Sequence, residues 1–109
     1  MNPTAGNILN DIPSAIGTEH FETLADTPNV RIERIVSTGQ TTPDDQWYDQ
    51  LHDEWVMVVQ GAARLIIADR TEELALSPGD WVLLPAHCRH RVSWTDPTTQ
   101  TVWLAVHFA

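Results

Sequence analysis

The residues able to do chemistry crowd into two stretches of the chain. Asp44, Asp45, Asp49, Asp53 and Glu54 put five carboxylates within eleven residues. Such a density attracts a cation, or forms a solvated acidic loop if the side chains face water. Glu54 differs from the other four because it leads the apolar run Trp55-Val-Met-Val-Val59. A carboxylate carried into a core needs a partner. The second stretch, Pro85 to His90, carries His87, Cys88 and His90. Further on, His107 follows Trp103-Leu-Ala-Val106, and in an extended strand it shares a face with Trp103 and Ala105. Carboxylate and imidazole together support acid–base chemistry, since their different charge types supply a base and an acid.

Composition removes many alternatives. Fifteen acids against six bases give a net charge of −9, and all six bases are arginine. Without lysine there is no Schiff base, no pyridoxal phosphate attachment and no Walker-type phosphate lysine. An acidic chain with no basic cluster makes nucleic acid an unsuitable partner. Cys88 is the single cysteine, so an internal disulfide, a CxxC pair and a thiolate metal cage are all impossible. It reads as a small buried hydrophobe. No apolar run approaches the ~20 residues of a membrane helix, and Met1–Pro13 carries neither a basic segment nor a long apolar run. A cytoplasmic protein without a membrane partner is expected.

These side chains need a frame, and the patterning describes one. The length of 109 residues suits a single domain, with residues 1–29 an N-terminal arm or edge elements and residues 30–108 a barrel. Pro3, Pro13 and Pro28 interrupt the arm. Phe21 to Ala25 reads equally as a helical turn or a short edge strand. Val30 to Val36 alternates Val30, Ile32 and Val36 against Arg31 and Glu33, the pattern of a half-buried strand. Further strands are expected at Glu54–Gln60, Ala62–Ala68, Glu72–Leu76, Trp81–Leu84, Arg89–Trp94 and Thr101–Phe108. Ser77-Pro78-Gly79-Asp80 has proline and glycine where a type II turn requires them. Short strands at this spacing, with no segment holding a helical period, predict an all-β antiparallel sandwich or barrel.

The spacing also resembles that of the cupin family. Glu54, six residues and Gly61 fit the second half of that family's first motif. Gly79, five residues, Pro85, one residue, His87, two residues and His90 fit the second motif, except that His87 stands where glycine is usual. The 17 residues between Gly61 and Gly79 suit a compact member, and the Trp-Tyr-Asp-Gln segment at 47–50 is similar to that of a group of small single-domain cupins. The resemblance implies an antiparallel jelly-roll β-barrel, a pocket in its mouth, a divalent transition metal and a homodimer. It carries the roles of ligand or catalytic group onto Glu54 and His90. The two histidines of the first motif fall on Tyr48 and Gln50, so both are missing. His52 is a substitute donor, which makes Gln50, His52, Glu54 and His90 the implied but weakened metal set. The motif's opening glycine and closing asparagine fall on Thr42 and Trp94.

Five tryptophans, Trp47, Trp55, Trp81, Trp94 and Trp103, lie on or beside expected strands and serve first as packing. Trp47 and Tyr48, at the barrel mouth, are candidates for a pocket wall, with His107 pointing inward. The expected partner is a small organic molecule. Three readings remain open at this point: a metal-assisted enzyme, a binding module without turnover, and a metal-free acid–base enzyme on Glu54 and His90. The apolar, Trp-rich strands are more than one barrel of 12.2 kDa can cover, so a homodimer through strand or sheet contact is expected.

Overall fold

The structure, a computed structural model, describes residues 2–109. Its eight strands are β1 (His20–Asp26), β2 (Val30–Ser37), β3 (Asp53–Gln60), β4 (Ala63–Ile67), β5 (Glu73–Leu76), β6 (Trp81–Leu84), β7 (His90–Thr95) and β8 (Thr101–Phe108). One sheet runs β1-β2-β8-β3-β6 and the other β5-β4-β7, and every pairing is antiparallel. This is an all-β jelly-roll barrel. The segment left open between helix and strand is β1, an edge strand paired with β2.

Backbone chemistry explains the corners. The chain leaves one sheet for the other at Gly61, whose φ is 90°. A Cβ there would lie 2.5 Å from Thr101 Oγ1 and 2.7 Å from its Cα, so only glycine fits. At 77–80 the Asp80 N–H donates to the Ser77 carbonyl at 2.8 Å, with Gly79 at φ 92°, as a type II turn requires.

Between the sheets, Val56, Val58, Trp103 and Ala105 meet Ala63, Leu65, Ile67 and Leu76 in one buried cluster. The sequence's alternation in β2 holds, but its polar side faces the barrel interior. Arg31, Glu33 and Ile35 line the interior cavity, while Val30 is exposed. On the outer side Val36 is nonetheless fully buried, and the N-terminal arm is bonded to Arg34 two residues before it. Arg34 donates from its guanidinium to the carbonyls of Ile8, Asn10 and Asp11 and pairs with Glu22 at 2.8 Å. Gln100 donates to Pro13 O at 2.9 Å. Residues 8–13 are thereby strapped to the barrel.

Candidate functional site

Register places the polar groups in one row. Across the large sheet Arg31 faces His107, His107 faces Glu54, and Glu54 faces Leu84. One step deeper the row becomes Glu33, Ala105, Val56 and Val82, and beyond that Ile35, Trp103 and Val58. The inner face therefore changes from charged to apolar over about two residue pairs. His90 comes from the opposite sheet, paired to Ile67 at the start of β7.

Loop contacts bring His90 to that row. The Ala86 N–H donates to Asp53 Oδ1 at 2.8 Å, and the His87 N–H donates to the Gln50 carbonyl at 2.8 Å. Tyr48 and His90 exchange backbone hydrogen bonds of 2.8 and 3.1 Å, and their rings stack at 5.4 Å. The loop before β7 is thus tied to the segment before β3.

The two carboxylate–imidazole pairs of the cavity differ. Glu54 and His90 are both buried, with Glu54 Oε1 3.7 Å from His90 Nε2, too far for a direct hydrogen bond. His90 Nδ1 lies 2.9 Å from the Cys88 carbonyl. A carbonyl only accepts, so Nδ1 carries a proton, which leaves Nε2 as the ring nitrogen that faces Glu54. In the second pair, His107 Nε2 donates to Glu33 Oε1 at 2.8 Å. Burial pushes the Glu54 carboxyl above its ordinary pKa, and Glu33 adds to this. His107, His90 and a hydrogen bond from Gln50 act in the opposite direction.

These groups line a cavity of about 210 Å³ with Glu19, Tyr48, Gln50, Leu65, Leu84 and Trp103 among its walls. A hydrogen-bond chain runs from the Trp103 indole to Ser37 Oγ at 3.1 Å and from Ser37 to Glu19 Oε2 at 2.6 Å. Burial raises the pKa of Glu19, which this bond partly offsets. The Tyr48 phenol is raised by burial first, then by Glu19 and Glu54.

Of the residues expected at the site, Glu54, His90, Gln50, Tyr48 and His107 line the cavity. His52 does not. It is exposed and borders an adjoining depression near Asp26 and Phe108 that shares Arg31, Gln50 and His107 with the cavity, because the chain bends at 51–52 before β3 begins. Trp47 also lies outside the lining, with Arg89 and Arg91 over its ring at 5.3 and 5.4 Å. Sequence reasoning missed Glu19, Arg31 and Glu33. The alternation in β2 contained the signal for the last two, but alternation does not tell whether a strand's polar side meets solvent or a wet cavity.

The donor set fits a divalent ion poorly. Three or four good donors are needed, and no cluster of three His, Cys, Asp or Glu side chains arranged to hold an ion occurs among the described residues. Glu54 and His90 supply two donors and Gln50 a weak amide, while His107 Nε2 is committed to Glu33.

Comparison with known proteins places these features in context. The family model described as "Cupin domain" matches residues 35–107. A crystal structure of a Ralstonia eutropha protein, provisionally described as a mannose-6-phosphate isomerase, is 48% identical, covers 97% of this chain and 98% of its own, and superposes with a TM-score of 0.94. L-ectoine synthase of Rhodococcus erythropolis is 44% identical over 55 residues, which is 50% of this chain and only 39% of that protein's length. A cupin superfamily protein from Desulfitobacterium hafniense shares the fold at 18% identity and a TM-score of 0.73, covering 89% of this chain and 83% of its own.

Proposed function

Because the chain belongs to the cupin domain family, we propose that its barrel cavity binds a small polar organic molecule and moves a proton on it, with Glu54 and His90 as the exchanging groups. The observation that carries this reading is the Glu54–His90 gap of 3.7 Å between two buried groups. A closed hydrogen bond would occupy both. The gap instead lets each contact an atom of the same ligand, or a water between them. Burial holds Glu54 toward the protonated form, which brings a carboxyl closer to the range useful for exchange near neutrality. His90, oriented by Cys88 O, offers Nε2 as base. Interconversion of a hydroxy-aldehyde and a hydroxy-ketone passes through an enediol. A base takes the proton from one carbon and returns it to its neighbour, while an acid protonates the carbonyl oxygen and recovers a proton from the adjacent hydroxyl. The isomerase description of the Ralstonia relative agrees with that class of step.

A divalent ion at this site would use Gln50, Glu54 and His90, and the donor set argues for the metal-free reading. The test uses free mannose, mannosamine and mannose 6-phosphate as probes in deuterated water. Deuterium is expected at C2 of at least one probe, unaffected by a chelator and abolished in Glu54→Gln. Saturable binding with no exchange on any probe would replace this reading with a binding module. Exchange lost on chelation and restored by a metal would replace it with a metal enzyme.

We further propose a homodimer through the outer face of β3 and β6. There Trp55 and Trp81 stack at 5.9 Å, and Trp81 and Leu83 are 59% and 49% exposed, which is costly surface to leave in water. Sedimentation of the wild type as a dimer and of Trp81→Glu as a monomer is the expected pair of results.

A further inference from the structure

The cavity wall carries a charge imbalance that proton transfer does not use. Glu19, Glu33 and Glu54 bring three carboxylates to the lining, against one guanidinium, that of Arg31. Arg31 is 48% exposed, and its Nε lies 3.7 Å from Glu33 Oε2. His107 is also engaged by Glu33. Among the described residues, Glu19 and Glu54 therefore face the cavity with no guanidinium partner. The first accepts a hydrogen bond from the Ser37 hydroxyl, and the second has the His90 ring 3.7 Å away. The Tyr48 ring lines the same cavity as both carboxylates, stacked on His90 at 5.4 Å.

Resting on the pocket reading above, we propose that the cavity selects small organic molecules bearing an ammonium group and turns away phosphorylated ones. The ammonium sits among Glu19, Glu54 and the Tyr48 ring. Burial alone holds both carboxyls toward their protonated forms, but an ammonium beside them favours ionisation. The resulting attraction is far stronger in a partly dry site than in water, and an aromatic face adds to it. A phosphate finds nothing comparable. Phosphate sites use bidentate arginines, a lysine or helix N-termini. This chain has no lysine, its described residues form no helix, and the other five arginines lie outside the lining. Arg34, for instance, is held by the N-terminal arm and Glu22. A phosphorylated ligand would place its dianion against three carboxylates. The selectivity inferred here therefore departs from the substrate in the description of the Ralstonia relative.

The test titrates the whole protein with mannosamine, mannose and mannose 6-phosphate at one ionic strength, following the ring protons of His90 and His107 by NMR. Mannosamine should bind at least about tenfold more tightly than mannose, and mannose 6-phosphate more weakly than either. Glu19→Gln keeps an acceptor for Ser37 and should weaken mannosamine far more than mannose, removing most of the mannosamine advantage. Phosphate binding as tight as that of the amine, equal affinity for mannosamine and mannose, no effect of Glu19→Gln, or no response to any probe would overturn the selectivity. The two proposals fail separately. Deuterium exchange on mannose 6-phosphate with tight binding sinks only the charge preference, and saturable mannosamine binding without exchange on any probe sinks only proton transfer.

Discussion

Glu33–His107 and Glu54–His90 are the same two side-chain types in the same cavity, yet the first pair is closed at 2.8 Å and the second open at 3.7 Å. The closed pair is built within one sheet, where neighbouring strands β2 and β8 hold both backbones in register. The open pair spans the two sheets, and its distance is set through loop contacts around Tyr48, Gln50, Asp53 and Ala86 rather than by pairing of neighbouring strands. A pair inside a sheet satisfies itself. A pair across a cavity leaves donors and acceptors that a ligand can complete.

The strongest way to break the comparison is to neutralise one carboxylate from each pair. Glu54→Gln should reduce deuterium exchange by at least about 100-fold, the usual worth of a positioned acid or base. Glu33→Gln should reduce it by no more than about 10-fold, since Glu33 acts on Glu54 only through the field and through His107. Comparable losses in the two variants, measured at saturating probe, would show that the closed pair is also part of the exchange.

Stability should order the pairs the other way. Glu33→Gln weakens a charge-assisted bond to a mostly buried imidazole and should cost about 1–2 kcal/mol in denaturant unfolding. Glu54→Gln should be stabilising at neutral pH, and the sign follows from its raised pKa. In the unfolded chain the carboxyl ionises around its ordinary value of 4.5, whereas in the fold it retains its proton to higher pH. The folded state thus binds more protons, and stability falls as pH rises from about 4.5 through the raised value. A glutamine does not titrate. The variant's advantage in melting temperature should be present at neutral pH and vanish below pH 4.5. An advantage that persists in acid would mean that packing, not ionisation, separates the two side chains.

The contrast between the pairs also marks how far the sequence could be read. Strand spacing and the turn at Gly79 were legible because each depends on local backbone chemistry, whereas Gly61 was visible only as a motif position and its role as a corner came from the structure. Glu54 and His90 were legible because their spacing matched two motifs. Glu33 was not, because alternation tells which residues share a face but not whether the polar face meets bulk water or an internal cavity. His52 was misplaced for a related reason. Positions 50, 52 and 54 share a face only in an unbroken strand, and the bend at 51–52 ends that alternation. Glu19 belongs to the arm, and nothing local to it indicates that Ser37 and Trp103 lie beside it.

A third carboxylate–imidazole pair sharpens the comparison at its weak end. His87 Nδ1 is 2.8 Å from Asp49 Oδ1, as short as the closed pair in the cavity, but the two side chains are 63% and 50% exposed. Equal distance with unequal burial isolates what solvent does to such a contact. Surface ion pairs are worth about 0–1 kcal/mol, because water competes and two side chains must be held still. His87 also occupies φ 64°, a left-handed conformation that costs a side chain about 1–2 kcal/mol and glycine almost nothing. Glycine adds unfolded-chain entropy of about 0.5–1 kcal/mol, so relief and entropy nearly cancel once the weak pair is lost. Asp49→Asn should therefore change unfolding free energy by less than about 0.5 kcal/mol, and His87→Gly should raise it slightly, by no more than about 1 kcal/mol. Neither should alter deuterium exchange. A loss above about 1 kcal/mol in either variant would place the His87–Asp49 contact with the cavity pair rather than with the solvent-exposed ones.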